Sequence, residues 1–338
     1  MLKGFGLRGQ HPATYCHSMG IVYLNLNRRA FTLIFLVTGG CSREEGSLLD
    51  PKGSIASAQL SHLYEVTAVT LIAVIPVLIL VPLMLWRYRY SNRSAKYAPD
   101  WDESRGLDLL MWGVPFAIVA FAGVLLWRST LALDPYRPIE PAAQATRVQV
   151  IGLDWKWLFI YPNHGIATIG ELAFPASRPL ALELTSDTVM QSFMIGALGG
   201  QIYAMPGMRT QLHLSADGPG NFSGENMQYS GEGFHTQKFR ASAMEDAEFA
   251  TWLEAARQAS VPLDNAVYAI LAERSTKEEV RAAFPAAVMA GDVVVFSLGA
   301  ASLFDTVLAR YRGDLAVSPE LQPGSALYQP GTSSGGNP

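Results

Sequence analysis

The residues of this chain that could do chemistry are few, and their types limit what that chemistry can be. Cys16 and Cys41 are the only thiols, and both stand in the first 41 of 338 residues. A multi-disulfide framework, a four-cysteine zinc site and an iron–sulfur centre on four thiolates are therefore excluded. Met205 and Met208 could offer thioethers to a soft metal, but no His or Cys ligand falls in register beside them. His62 and Glu65 stand just before a long apolar run, where solvation at an interface is their ordinary role. Asp108 opens another such run. An acid there could pass a proton, and it would also complement a helix dipole. No cysteine nucleophile survives in the later chain and no Ser–His–acid spacing is evident, so a soluble hydrolase fits poorly.

These residues need elements to position them. Hydrophobic residues make up 49% of the chain, charged residues only 16%, and mean hydropathy is +0.17. A soluble domain carries about 25% charged residues, so membrane-length runs are expected. Val66–Trp86 is 21 residues without a charge and Leu109–Trp127 is 19, each close to the length that crosses a hydrocarbon core. Between them lies a basic cluster, Arg87, Arg89, Arg93 and Lys96, which places that connection in the cytoplasm. Residues 64–128 thus form a two-helix transmembrane hairpin with a cytoplasmic loop at about 87–106, and both flanks are periplasmic. The net charge of -4 makes nucleic acid an improbable partner.

The first 40 residues carry Lys3, Arg8, Arg28 and Arg29 and no acid. Arg28-Arg29, the apolar run Ala30–Val37 and Thr38-Gly39-Gly40 before Cys41 read as a secretory signal. Cys41 after small residues resembles a lipobox, in which the Cys is lipidated, although Thr38 stands where Leu is usual. A signal cut without lipidation is the alternative, and Met19 could be the true start. Cleavage before Cys41 removes four basic residues and no acid, taking the charge from -4 to -8. Residues 41–63 are then a periplasmic segment.

Beyond a Pro/Ala-rich linker the pattern turns to short alternating segments. Val148 and Val150, then Leu180, Leu182 and Leu184, then Leu212 and Leu214 show period two, punctuated by Gly and Pro turns. Residues 146–243 are expected to form a β-sandwich. Residues 244–312 are expected to be a helical extension: Ser242-x-x-Glu245 and Ser275-x-x-Glu278 read as capping boxes, and Phe249, Trp252, Leu253 and Ala256 repeat at helical spacing. Residues 313–338, rich in Gly, Pro and Ser, read as a disordered tail.

Several motifs make the resemblance specific. Asp154-Trp155-Lys156-Trp157-Leu158-Phe159-Ile160-Tyr161-Pro162, Phe174-Pro175, Gln191-Ser192-Phe193 and Gly200-Gln201-Ile202-Tyr203-Ala204-Met205-Pro206-Gly207-Met208 resemble segments of subunit II of haem-copper oxidases, in its quinol-oxidase branch. Leu49-Asp50-Pro51-Lys52-Gly53 and Lys96-Tyr97-x-Pro99-x-Trp101 point the same way. The resemblance, to subunit II of bo-type ubiquinol oxidases, runs from about Cys41 to about Arg257 and more weakly to Arg312. It implies a cupredoxin-like periplasmic domain on the hairpin. Copper-bearing relatives bind two coppers with a His, then Cys-x3-Cys-x3-His-x2-Met. Here those positions hold Gln191, Asn226, Ser230, Phe234 and Gln237. A bridged copper pair needs thiolates, so no metal centre is expected on this chain. His235 is one residue off the ligand position, which in a strand is the opposite face.

The resemblance implies a respiratory terminal oxidase that couples ubiquinol oxidation to reduction of oxygen to water, with proton translocation. Haems, copper and the quinol site would reside on the catalytic subunit I, and smaller membrane subunits and the bacterial inner membrane would be further partners. This chain would be a non-copper scaffold, with Asp108 at the mouth of a proton path, Cys41 a lipid anchor, and Trp155 and Trp157, on one face of a strand, in packing or subunit contact. The competing readings are a copper-carrying subunit II, which the missing ligands oppose, and a stand-alone cupredoxin-like membrane lipoprotein acting in binding or assembly.

Overall fold

The computed structural model describes residues 49–94, 103–176, 178–299 and 303–311. Residues 1–40, read above as a signal, Cys41, the 96–101 motif and residues 313–338 lie outside the described residues.

Two long helices come first, α1 (Ser54–Arg87) and α2 (Arg105–Ala132). Their apolar side chains face outward along nearly the whole length. That suits lipid as the solvent, because every backbone group is bonded inside the helix. Pro76, Pro82 and Pro115 lie within them. Near the start of α1 and the end of α2 Ser129 Oγ meets His62 Nδ1 at 2.8 Å, and Glu65 lies 3.9 Å from the same nitrogen.

The rest is a two-sheet sandwich. Its strands are β1 (Thr146–Leu153), β2 (Lys156–Tyr161), β3 (Ile166–Ile169), β4 (Glu171–Pro175), β5 (Leu180–Ser186), β6 (Gln191–Ile195), β7 (Gln201–Ala204), β8 (Thr210–Leu214), β9 (Gly220–Asn226) and β10 (Lys238–Met244). Then come α3 (Asp246–Ala259), β11 (Val261–Leu263), α4 (Asn265–Ala272), α5 (Lys277–Ala283), β12 (Val288–Met289), β13 (Val293–Leu298) and α6 (Leu303–Ala309). The larger sheet runs β11-β13-β3-β2-β1-β5-β8 with β12 on β13, and the smaller runs β4-β10-β9-β6-β7. Alternation sends Val148, Val150, Leu182, Leu184, Leu212 and Leu214 into the core between the sheets. There they meet an aromatic cluster in which Phe193 stacks on Phe239 at 5.1 Å and Trp157 stands edge-on to Phe193 at 5.3 Å.

The extension has the expected helices and adds strands to them. It contains three strands, and β13 pairs with β3 so that the larger sheet continues into it. Its helices cover the opposite face of that sheet, where Ile151, Leu153, Leu158 and Ile160 pack with Leu271, Phe304 and Val307. Strand β2 is buried on both faces as a result. The helix starts also differ. Ser242 lies in β10 with its hydroxyl on Glu171 and Asn221, and α3 begins after Glu245. The capping box of α5 is Thr276 with Glu279, one residue beyond the expected pair.

The start of α1 is locked to the sandwich. Lys52 N–H donates to Ala197 O at 2.8 Å, Ala56 N–H to Leu198 O at 3.1 Å, and Asp217 N–H to Lys52 O at 2.8 Å. The Leu49–Gly53 motif is thus a seat for the hairpin. Gly199, at φ +82, closes it: a Cβ there would stand 2.8 Å from Ala56 N. We expect Gly199→Ala to cost about 2–4 kcal/mol, from left-handed backbone plus overpacking. Gly218→Ala, with open space around its Cβ, should fall within about 0.5 kcal/mol. Thermal melting of the detergent-solubilised chain compares the two, and equal effects would contradict this seat.

Candidate functional site

Three loops meet at one end of the sandwich: the β1–β2 turn, the segment before β6, and the stretch from β9 to β10. They bring Gln191, Asn226, Ser230 and Gln237 into one hydrogen-bonded group. Gln237 Nε2 donates to Gln191 Oε1 at 2.6 Å, and Asn226 Nδ2 donates to Gln237 Oε1 at 2.9 Å. Ser230 Oγ lies 3.3 Å from Asn226 Nδ2 and 3.4 Å from Gln237 Oε1. Gln191 Nε2 donates to Leu153 O at 2.9 Å and to Thr188 Oγ1 at 3.1 Å. Asn226 Oδ1 accepts the backbone N–H of Ser192 at 2.9 Å and of Gln228 at 3.0 Å. Gln191, Asn226 and Gln237 are each at most 4% exposed. Burial without partners would cost each amide a few kcal/mol, and each has them. Gly152 makes the room, since a Cβ there would stand 2.5 Å from Gln191 Oε1.

The fifth position, Phe234, does not join the amides. It lies in a short 3-10 turn, Glu232–Thr236, with its ring 5.8 Å from Tyr229. His235 is on the same turn, exposed, with Nδ1 on Glu232 O at 3.2 Å. The strand premise for His235 therefore fails: β9 stops at Asn226 and β10 begins at Lys238. Trp155 and Trp157 also part company. Leu153 pairs with Lys156, so Asp154 and Trp155 form a two-residue turn, with Trp155 at φ 66. Its indole Nε1–H donates to Ser230 O at 3.2 Å, and the ring lies against Gly233, where a Cβ would stand 2.1 Å away. Trp157 is on the strand, 2% exposed, in the aromatic core. Among the described residues no group of three or more His, Cys, Asp and Glu is placed to hold a metal. Asp108 lies in the first turn of α2, exposed.

Two buried charges beside the amides were not singled out from sequence. Lys156 is 2% exposed and its Nζ faces Asp154 O at 3.1 Å, Glu273 O at 2.8 Å, Ser275 O at 3.1 Å and Ser275 Oγ at 2.9 Å. Asp187, fully buried, accepts from Tyr268 Oη at 2.7 Å, Arg310 Nη1 at 2.7 Å and Tyr311 Oη at 3.0 Å. Burial raises the Asp187 carboxyl, and Arg310 with the two phenols opposes it. Lys156 stands in a legible motif and Asp187 in none, and their partners in the extension are 81 to 124 residues away.

No protein-family model matches the chain. It is 43% identical over 245 residues to a cytochrome bo(3) ubiquinol oxidase subunit 2 of Pseudomonas putida, covering 72% of this chain and 77% of that one. It is 39% identical over 284 residues to a ubiquinol oxidase subunit 2 of Acetobacter aceti, covering 83% and 87%. The chain belongs to the ubiquinol oxidase subunit 2 family. Among solved structures it is similar to the periplasmic domain of subunit II of a Bradyrhizobium japonicum cytochrome oxidase, at 23% identity and TM-score 0.32 over 33% of this chain and 93% of that one.

Lys156 ties the β1–β2 turn to the extension at a cost that depends on pH. Loss of water around the ammonium lowers its pKa from 10.5 to about 8, with the charges of Asp154, Glu279 and Glu273 pulling the other way. Unfolded, the lysine keeps its proton up to about pH 10.5. Between about 8 and 10.5 the unfolded state binds more protons, so this group's contribution to stability rises with pH; below about 8 the burial cost is complete. The gap in denaturation midpoint between wild type and Lys156→Met should therefore shift in favour of wild type from pH 8 to pH 10. A gap independent of pH would contradict a lysine buried with this pKa.

Proposed function

We propose that this chain serves its quinol oxidase as a subunit that carries no electrons. The observation that supports this most is the amide group at the end of the sandwich. Where copper-bearing relatives place thiolates, imidazole and thioether, Asn226, Ser230, Gln191 and Gln237 satisfy one another, and the domain holds no cysteine. Amides and a hydroxyl are hard, neutral donors, unsuited to a bridged copper pair. Electrons from ubiquinol then enter at the catalytic subunit, which would also carry the haems and the oxygen-reducing copper.

The subunit's own work is positional. The seat at Lys52–Ala56 fixes the hairpin to the domain. Of the large apolar side chains exposed on the described part of the sandwich and its extension, all but Ile270 lie at the amide end: Val189, Met190, Tyr203, Met208, Met227 and Tyr229. Flexible thioethers and phenols suit a protein contact, and half-buried Trp155 lies beside them. This end is where we seat the catalytic subunit. Asp108, at the cytoplasmic start of α2, supplies a carboxylate for proton uptake into that subunit. A lipid on Cys41 would anchor the exported N-terminus. Nothing in the structure favours the stand-alone lipoprotein.

Oxygen uptake by the complex purified through a tag on this chain tests the proposal. Ubiquinol should support rapid uptake and reduced cytochrome c should not; uptake from cytochrome c would overturn it. Asp108→Asn should slow ubiquinol turnover roughly tenfold or more, with Asp108→Glu restoring it. Unchanged turnover in Asp108→Asn would remove the residue from the proton path.

A further inference from the structure

Between α2 and β1 the chain forms a strap over the outer face of the larger sheet. Pro135 O accepts from His213 twice, from the backbone N–H at 3.2 Å and from Nδ1 at 3.0 Å. At the other end Thr146 N–H donates to Pro179 O at 2.8 Å. Under the strap lies a cleft of about 460 Å³. Its wall is apolar, with Pro138, Ile139 and Ala142 of the strap. Its floor is polar, for a reason that follows from the register. Core-facing Val148, Leu182 and Leu212 alternate with outward residues, so Arg147, Ala181 and His213 form one row across β1, β5 and β8, and Gln149, Glu183 and Gln211 the next.

In the first row Arg147 and His213 flank Ala181. They lie two strand spacings apart, about 10 Å, with only a methyl group between them. Arg147 is exposed and forms no salt bridge among the described residues. His213 Nδ1 donates to the Pro135 carbonyl, so Nε2 is an acceptor in the neutral ring and donates to an anion only in the imidazolium, while Arg147 donates in either case. The carboxylates nearby are engaged. Glu183 is held by Arg209 at 3.0 Å, and Arg209 also pairs with Asp305. Asp134 Oδ1 accepts Tyr136 N–H at 2.9 Å and Glu140 Oε2 accepts Ala142 N–H at 3.1 Å.

The cleft also lies near the bilayer. The uncharged run ends at Trp127, α2 ends at Ala132, and Pro135 is three residues further on. Five helical residues rise about 7.5 Å, similar to the thickness of one headgroup layer. An apolar wall, a floor with a free guanidinium and imidazole, and headgroup depth describe a receptor for an amphiphile with an anionic head. We propose that this cleft binds a phosphate-bearing anion over Ala181, between Arg147 and His213, and that the anion is the headgroup of an acidic phospholipid.

The test uses the tagged complex in nanodiscs of phosphatidylcholine with a minor fraction of phosphatidylglycerol, with bound lipid counted by native mass spectrometry. Wild type should retain phosphatidylglycerol that Arg147→Glu loses, with affinity weaker by about fivefold or more, while Arg147→Lys retains it. Ala181→Leu, which fills the gap without changing charge, should lose it too. Displacement of the lipid by millimolar inorganic phosphate would keep the anion site and assign it to free phosphate. Equal retention in wild type, Arg147→Glu and Ala181→Leu, or no preference for phosphatidylglycerol over phosphatidylcholine, would overturn the proposal.

Discussion

The constraint on which the rest of this domain depends is that buried amides must satisfy one another. Gln191, Asn226 and Gln237 sit where water does not reach, and a lone amide there would destabilise the fold by a few kcal/mol. Their mutual bonds fix three otherwise independent loops. The β9–β10 stretch is held by Asn226 and Gln237, the start of β6 by Gln191, and the β1–β2 turn by Leu153 O and the Trp155 indole. A metal centre would hold such loops by coordination. Here hydrogen bonds do so. The three loops are therefore organised by side-chain amides and the backbone groups they meet.

The extension is bound in by charge as well as by apolar contact. Lys156 is buried, and its ammonium is matched by Asp154 O beside it and by two carbonyls of the 273–275 segment. Asp187 similarly takes Tyr268 from α4 and Arg310 and Tyr311 from the stretch that follows α6. A buried charge that loses its partner is costly, so the extension is integral to the sandwich. The motif Gly200–Met208 runs between the two attachments: Gly199 and Gly200 at the hairpin seat, and Gly207 against Tyr311.

Much of this was legible in the sequence. Uncharged runs marked both spans, and period two at Val148–Val150 and Leu180–Leu184 marked inward faces. The correspondence of Gln191, Asn226, Ser230 and Gln237 to ligand positions needed the family resemblance, and their convergence is a tertiary fact. What failed did so for local reasons. Trp155 and Trp157 alternate in sequence, but a turn with positive φ ends the strand between them. Val293-Val294-Val295-Phe296 carries a strand signal of β-branched residues, but it stands in a stretch whose capping patterns at Ser242 and Ser275 point to helices. Ser242 matched a capping box in spacing, yet its hydroxyl bonds to Glu171 within the sheet. The partners of Lys156 and Asp187 lay too far along the chain for any spacing rule to find.

A double-mutant cycle on Gln191→Leu and Gln237→Leu, read by thermal or denaturant unfolding of the full chain, tests the account at its centre. Each single variant strands the other amide. The pair of substitutions removes both ends of the 2.6 Å bond, so the double variant should be less destabilised than the sum of the two by about 1–3 kcal/mol. Additive losses would mean that the two amides act independently and that no interlocked group organises this end of the domain.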